Sequence, residues 1–158
     1  MTQQTVDLPL EGVKVLELGT MITAPYAGML LAELGASVIK VENPEGGDPF
    51  RATGGGRYGP NFVAYNHGKR SLGLDLKAER GKAVLRKLLE RADVLVENYR
   101  SGVMDKLGFA AETIRGINPR IVHCSITGFG ASGPYRNRPA YDAVERLERH
   151  LRACGRSG

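Results

Sequence analysis

Five short runs of apolar, mostly β-branched residues recur along this 158-residue chain, and helix-forming stretches or glycine-rich loops separate them. Such runs predict buried strands, and strands that alternate with helices form parallel sheets with helices on their faces. The expected strands cover residues 13–18, 37–41, 71–74, 94–97 and 121–125. We therefore predict an α/β fold: a Rossmann-like, mostly parallel sheet with flanking helices, present as an incomplete domain.

Three helices are expected between these strands, besides a short helix and turn that contains Met104, Leu107 and Phe109. The first covers about residues 24–34, with Thr23 as its N-cap and Gly35 as the residue that ends it. The second covers about residues 78–91, and the third covers 111–117. Residues 43–68 are expected to form an irregular loop. One apolar stripe should bury the second helix, and its members are Val84, Leu85, Leu88 and Leu89.

Composition and charge exclude several function classes. The net charge of +5 suits an anionic ligand, but no basic block interleaves with aromatic residues, and Trp is absent, so a nucleic-acid partner is not expected. Cys124 and Cys154 have no metal-ligand spacing, so we expect neither a metal site nor a disulfide scaffold. The chain has no apolar run of membrane length, and its polar start is unlike a signal peptide. A cytoplasmic protein without a membrane partner is expected.

Polar and glycine-rich loops follow three of the predicted strands, at residues 19–25, 98–102 and 128–139. Because ligands of open parallel sheets bind outside the carboxyl ends of the strands, we expect these loops to converge on one cleft. The glycine- and proline-rich stretch 128–142 should form one wall of that cleft.

The loop after the first strand lacks the G-x-G-x-x-G pattern of dinucleotide-binding sites, so a bound NAD is not expected. Glu42 ends the second strand, where it could bind a ribose hydroxyl or form a salt bridge. Lys69 and Arg70 could contact an anion or could be surface cations. His123 is more typical of a packed, hydrogen-bonded core histidine than of a ligand or base.

Residues 97–100 combine a carboxylate, an amide, an aromatic ring and a cation at the end of a strand. Asn98, Tyr99 and Arg100 could stack on a flat ring and hold a phosphate. Alternatively, they form a simple turn in which Asn98 adopts the left-handed conformation.

Taken together, the motifs resemble the family III CoA-transferases, which include formyl-CoA and carnitine CoA-transferases and the related α-methylacyl-CoA racemases. The resemblance covers about residues 9–144. It rests on the segments 10–17, 24–28, 34–42, 66–76, 92–99, 107–109, 118–121 and 128–142. It implies that the Rossmann-like sheet binds CoA, as part of an acyl-CoA substrate.

The resemblance also implies which residues contact CoA. They are Ile22, Thr23, Asn43, Leu74, Asp75, Leu76, Lys77, Asn98, Tyr99, Arg100 and Lys106, with Pro139, Ala140, Tyr141 and Asp142 lining the acyl end. Two positions depart from the family. Some relatives carry an arginine near the adenine at the position of Asn43, and arginine is common at the position of Lys106. Because lysine is a weaker bidentate partner than arginine, the grip on phosphate is expected to differ.

The family mechanism implies that an aspartate attacks the acyl-CoA thioester, becomes an aspartyl-CoA thioester and passes CoA to a carboxylic acid. By the resemblance, that aspartate lies beyond Gly158, so no catalytic residue is assigned within the chain. Tyr141-Asp142 replaces the His-Asp pair of the racemase branch, which favours a transferase.

The expected organisation is a leader at residues 1–11, a CoA-binding part at 12–144 and a charged, aberrant tail at 145–158. On this interpretation the chain is truncated and inactive, and it cannot form the interlocked homodimer of its relatives. Two alternatives stay open: a stand-alone CoA- or nucleotide-binding module that works with a separate catalytic subunit, and half of a nicotinamide oxidoreductase.

Overall fold

A computed structural model describes residues 8–54, 56–138 and 140, and shows five strands that alternate with helices. The strands are β1 (Lys14–Leu18), β2 (Ser37–Glu42), β3 (Arg70–Gly73), β4 (Val94–Glu97) and β5 (Val122–Ser125). The helices are α1 (Thr23–Glu33), α2 (Pro60–Asn66), α3 (Glu79–Leu89), α4 (Val103–Lys106) and α5 (Ala111–Ile117), with a 3₁₀ turn at Pro49–Arg51.

The strands form a single parallel sheet in the order β3-β2-β1-β4-β5. The chain first builds outwards from β1 through β2 to β3, and then returns to the other side of β1 with β4 and β5. The order of the strands therefore reverses between β1 and β4, which is where ligands of such sheets characteristically bind. The α/β fold and the parallel sheet predicted from the sequence are confirmed.

Each face of the sheet packs against its own helices. Leu16, Leu18 and Leu95 face the side covered by α3, α4 and α5, where they meet Leu85, Leu89, Met104 and Ile114. Val15, Val38 and Val96 face the opposite side, where they pack against α1. Because side chains alternate between the faces of a strand, each central strand contributes to both cores.

Several local predictions were close to the structure, and others were wrong. The bounds of α5 and β4 agree with those predicted, and Gly35 ends α1 with a φ of 102°. Thr23 is not the N-cap of α1: Ile22 occupies that position, and no side chain caps the helix there. Residues 43–68 are not irregular throughout, since they contain the 3₁₀ turn and α2.

The predicted apolar stripe of α3 is only partly buried. Leu85 and Leu89 are fully buried, whereas Val84 is 41% exposed. The strand β5 is also more exposed than its apolar sequence suggests, because it lies at the edge of the sheet in the described part of the chain.

Candidate functional site

The turn after β1 and the end of β4 meet at the point where the strand order reverses. Asn98 Oδ1 accepts a hydrogen bond from Thr20 N at 2.9 Å, and Asn98 Nδ2 donates to Thr20 O and to Thr23 Oγ1, both at 2.9 Å. One amide group therefore holds the β1–α1 turn (residues 19–22) against β4. This contact confirms that two of the three glycine-rich loops converge.

Asn98 reaches these partners without the left-handed backbone that the simple-turn alternative requires. Met21 is the only residue other than glycine with a positive φ, 63°, in the part of the chain that the structure describes. Met21, Ile22 and Thr23 are exposed beside the amide clamp, so the turn presents both apolar and hydroxyl groups to the cleft.

Tyr99, Arg100 and Lys106 continue the same edge. Tyr99 packs partly against the core, and burial together with the charge of Glu97 raises the pKa of its hydroxyl. Its backbone N donates to Glu97 Oε2 at 2.7 Å. Arg100 and Lys106 are exposed cations on this side of the sheet, which suits a phosphate-bearing ligand.

A second group of predicted residues lies at the ends of β2 and β3. Leu74 N donates to Glu42 O at 2.8 Å, which brings Asn43 and the 74–77 turn to adjacent strand ends. Leu74 and Leu76 pack against the core, Asp75 Oδ1 accepts from Lys77 N at 2.9 Å, and Lys77 is exposed. An open cleft of about 460 Å³ lies here, with Asn43 and Gly73 in its lining.

Glu42 forms a salt bridge, as one of the two alternatives predicted. Its carboxylate accepts from Arg51 Nε and Nη2 and from Ser71 Oγ, each at 2.7 Å, and from Asp48 N at 2.9 Å. Burial by itself raises the pKa of Glu42, but these hydrogen bonds outweigh it and hold the pKa at about 2. A carboxylate engaged in this way has little capacity left to bind a ribose.

A buried cluster of charges beneath α1 was not predicted from the sequence. Glu17 lies between two lysines: Lys40 Nζ donates to its Oε1 at 2.8 Å, and Lys69 Nζ donates to its Oε2 at 2.6 Å. Lys40 also pairs with Asp48 Oδ2 at 2.9 Å. The side chains of these four residues are at most 2% exposed. Two cations and two anions thus balance one another at a buried position.

Lys69 is therefore neither the anion contact nor the surface cation considered from the sequence. It donates further hydrogen bonds to Pro25 O at 2.6 Å and to Asn66 Oδ1 at 3.1 Å. Burial is the main influence on its pKa and lowers it, although Glu17 opposes the effect. Arg70 donates to Ser37 Oγ at 2.8 Å at an exposed position.

One signal in the sequence could have revealed this cluster. Val15 and Glu17 lie on the same face of β1, and Val38, Lys40 and Glu42 lie on the same face of β2. The amino ends of these strands are thus apolar on the α1 face, while their carboxyl ends carry charges. Charged residues at every second position of an apolar run predict buried ion pairs across neighbouring strands.

His123 agrees only in part with its prediction. His123 is mostly buried, but its Nε2 has no hydrogen-bond partner and lies 3.7 Å from Glu97 Oε1, so it is packed but not hydrogen-bonded there. Burial raises the pKa of Glu97, but His123, Ser125 and the backbone N–H of Tyr99 together lower it by more. His67 has a partner distant in sequence, Glu33, at 2.9 Å.

The third glycine-rich loop continues from β5. Gly130 and Gly133 have φ values of 80° and 91°, which only glycine adopts freely, and Phe129 lies edge-on to Tyr135. Ala140 is half-buried. The other predicted acyl-end residues, Pro139, Tyr141 and Asp142, lie outside the described residues, as does the whole of the predicted tail.

Within the described ranges, no helix is long and apolar enough to cross a membrane. The same residues include no group of three or more His, Cys, Asp or Glu side chains arranged to hold a metal ion.

Comparison with known proteins gives one consistent result. The sequence profile of CoA-transferase family III matches residues 10–148. The chain is 44% identical over 150 residues to a succinate–glutarate CoA-transferase of Agrobacterium fabrum. This alignment covers 86% of this chain and 36% of that protein. The chain is 42% identical over 139 residues to the human succinyl-CoA:glutarate CoA-transferase, covering 86% of this chain and 32% of that one. The chain thus spans about a third of the length of these relatives.

Solved structures agree. A CaiB/BaiF family protein from Brucella suis superposes with a TM-score of 0.83 at 44% identity, covering 87% of this chain and 38% of that chain. A hypothetical protein from Mycobacterium tuberculosis superposes with a TM-score of 0.85 at 37% identity, covering 90% of this chain and 40% of that chain. The region that the family profile matches, residues 10–148, includes the β1–α1 turn, Asn98 and the buried charge cluster, and the chain belongs to CoA-transferase family III.

Proposed function

We propose that this chain supplies the CoA-binding part of a CoA-transferase that moves CoA between an acyl-CoA and a carboxylic acid. The observation that carries the proposal is the amide clamp of Asn98 at the reversal of the strand order. It joins Thr20 and Thr23 to β4, so that a turn with exposed backbone and hydroxyl groups faces the ligand edge of the sheet.

The proposed CoA contacts fall into two adjacent groups along this edge. Ile22, Thr23 and the Asn98–Arg100 segment form the central group, and Asn43 with the 74–77 turn forms the outer one. Lys77, Arg100 and Lys106 are exposed cations, and their charge suits the phosphate groups of CoA. Pro139, Ala140, Tyr141 and Asp142 are proposed to line the acyl end, as the resemblance implies.

The proposed transfer proceeds through aspartyl-CoA. A carboxylate attacks the thioester and releases CoA thiolate, which returns to the aspartyl carbonyl and frees the donor acid. By the family resemblance, the nucleophilic aspartate belongs to a segment outside residues 1–158, and the residues described here are proposed to supply the CoA-binding part of the site. Relatives named for glutarate and oxalate make a dicarboxylic acid the first acceptor class to test in a full-length assembly.

Calorimetric titration of the chain with CoA tests the proposal, with NAD as the comparison ligand. Asn98→Ala should weaken CoA binding about tenfold or more, since it removes three hydrogen bonds that shape the turn. Asn118→Ala is a matched control. Asn118 also makes three hydrogen bonds, to Leu89 O, Ala92 O and Arg120 N, but it precedes β5 at the opposite edge of the sheet.

The control variant should lose stability but keep the CoA affinity of the wild type. Absence of CoA binding by the wild-type chain, or tight binding of NAD in its place, would overturn the proposal. Equal losses of affinity in the two variants would show that Asn98 acts only through global stability.

A second candidate is a binding module that works with a separate catalytic subunit. Two relatives in Chloroflexus aurantiacus are named as the alpha and beta subunits of a succinyl-CoA–L-malate CoA-transferase, and they match this chain at 35% and 39% identity. Co-expression with the adjacent reading frame tests this candidate, because CoA transfer should then appear only when both polypeptides are present.

A further inference from the structure

Asp48 connects the buried charge cluster to the β1–α1 turn. Its carboxylate pairs with Lys40, and it also accepts hydrogen bonds from Met21 N, at 3.1 Å and 3.3 Å to its two oxygens. A further bond comes from Phe50 N at 2.9 Å. The Asp48 side chain has no exposed surface, so all its partners belong to the protein.

The residue that Asp48 holds has an unusual backbone. Met21 has a φ of 63°, a conformation that side chains other than glycine rarely adopt. A residue other than glycine persists in the left-handed conformation only where surrounding contacts compensate for its strain. Such residues concentrate at ligand sites. The hydrogen bonds from Met21 N to Asp48 are the contacts that the structure supplies at this residue.

The turn is therefore fastened from two directions. Asn98 holds Thr20 and Thr23 from the β4 side, and Asp48 holds Met21 from the β2 side. Ile22 lies between these anchors with 44% of its surface exposed. Its position, and that of the Thr23 hydroxyl, depend on the direction the chain takes at Met21.

We propose that Asp48 is a positioning residue for CoA binding, which holds Met21 left-handed so that Ile22 and Thr23 face the ligand. This inference rests on the proposed function. Asp48 touches no ligand itself on this account, and it acts entirely through the backbone of Met21. Its ion pair with Lys40 fixes the carboxylate in the orientation that the turn requires.

A rescue experiment separates this role from a purely structural one. Asp48→Ala should weaken CoA binding about tenfold in a calorimetric titration, because the turn loses its preorganisation. Met21→Gly should have little effect alone, since glycine adopts positive φ freely. The double variant should bind CoA within about threefold of Met21→Gly, although the stability lost with the Lys40 ion pair does not return.

Two results would overturn the inference: wild-type CoA affinity in folded Asp48→Ala, or a loss of affinity that Met21→Gly does not restore. If Asp48→Ala does not fold, Asp48→Asn takes its place, because it removes the ion pair with Lys40 that orients the side chain and leaves one oxygen, in place of two, to accept from Met21 N. It should then bind CoA more weakly than wild type and recover with Met21→Gly; failure of either result contradicts the inference.

Hydrogen exchange of the Met21 amide, measured by NMR without ligand, distinguishes this inference from the proposed function. The amide should be protected in the wild type and should exchange at least about tenfold faster in the Asp48 variant. If the wild-type chain does not bind CoA, the proposed function fails, whereas unchanged protection in the variant refutes the Asp48 contact itself.

Discussion

Protonation of Glu42 should remove much of the stabilisation that its hydrogen bonds give to the loop after β2. The carboxylate accepts four hydrogen bonds, two of them from Arg51, and its side chain is only 4% exposed. A neutral acid cannot form the ion pair with Arg51 and must give up at least one acceptor position to its own proton. Glu42→Gln imposes the same change at every pH.

The magnitude follows from the pKa of Glu42, which falls from an ordinary value of 4.5 to about 2 in the folded protein. Because the folded pKa is the lower one, the stabilisation is fully present above pH 4.5 and is lost as the pH falls towards 2. One pKa unit corresponds to about 1.4 kcal/mol, so the whole effect is about 3 kcal/mol. About 2 kcal/mol of it should disappear between pH 6 and pH 3.

Urea unfolding followed by circular dichroism at pH 6, 5, 4 and 3 measures this effect. Wild type should be more stable than Glu42→Gln at pH 6, and the difference between them should shrink by about 2 kcal/mol at pH 3. The control is Glu90→Gln, since Glu90 is exposed and forms no ion pair within the described residues. Parallel pH profiles for wild type and Glu42→Gln would refute the reasoning.

Two further predictions concern the buried charge cluster. Gly28→Ala should destabilise the chain by about 1–3 kcal/mol despite the better helix propensity of alanine, because the added Cβ would overlap Glu17 Oε2. The matched change Gly116→Ala, where no atom lies within 4 Å of the new Cβ, should stabilise it by up to about 1 kcal/mol; stabilisation by both changes would contradict the packing argument. Lys40→Met should cost about 3–5 kcal/mol in urea unfolding, because it leaves Asp48 buried without a cation; a loss below about 1 kcal/mol would show that water reaches the cluster.

Patterns that are local in sequence predicted most of the sheet. The strand β4 and the helix α5 were located to the residue, because an apolar run or a Pro-terminated helical stretch identifies each of them. The helix α2 was missed because Gly59 precedes it, Pro60 begins it, and its seven residues carry no clear apolar stripe. A short helix that packs against α1 depends on tertiary contacts more than on its own sequence.

The candidate site was only partly accessible from sequence. Strand ends identified Asn98, but its partner Thr23 was assigned as a helix cap, since a threonine before an apolar helix usually serves as one. The pairing of Lys69 with Glu17 joins residues 52 positions apart, and no local pattern reports such a contact. The positive φ of Met21 likewise accompanies a contact with Asp48, which is 27 positions away in sequence, so no local pattern predicts it.

The close approach of α1 to Glu17 also constrains how members of this family can diverge. Gly28 leaves room for the Glu17 carboxylate and the Lys69 ammonium group directly beneath the helix. A larger residue at position 28 and an acid at position 17 cannot occupy this space together. In an alignment of relatives, the two positions should therefore covary: a side chain at 28 should appear only where the acid at 17 has been replaced by a smaller residue, and the lysine at 69 should disappear with it.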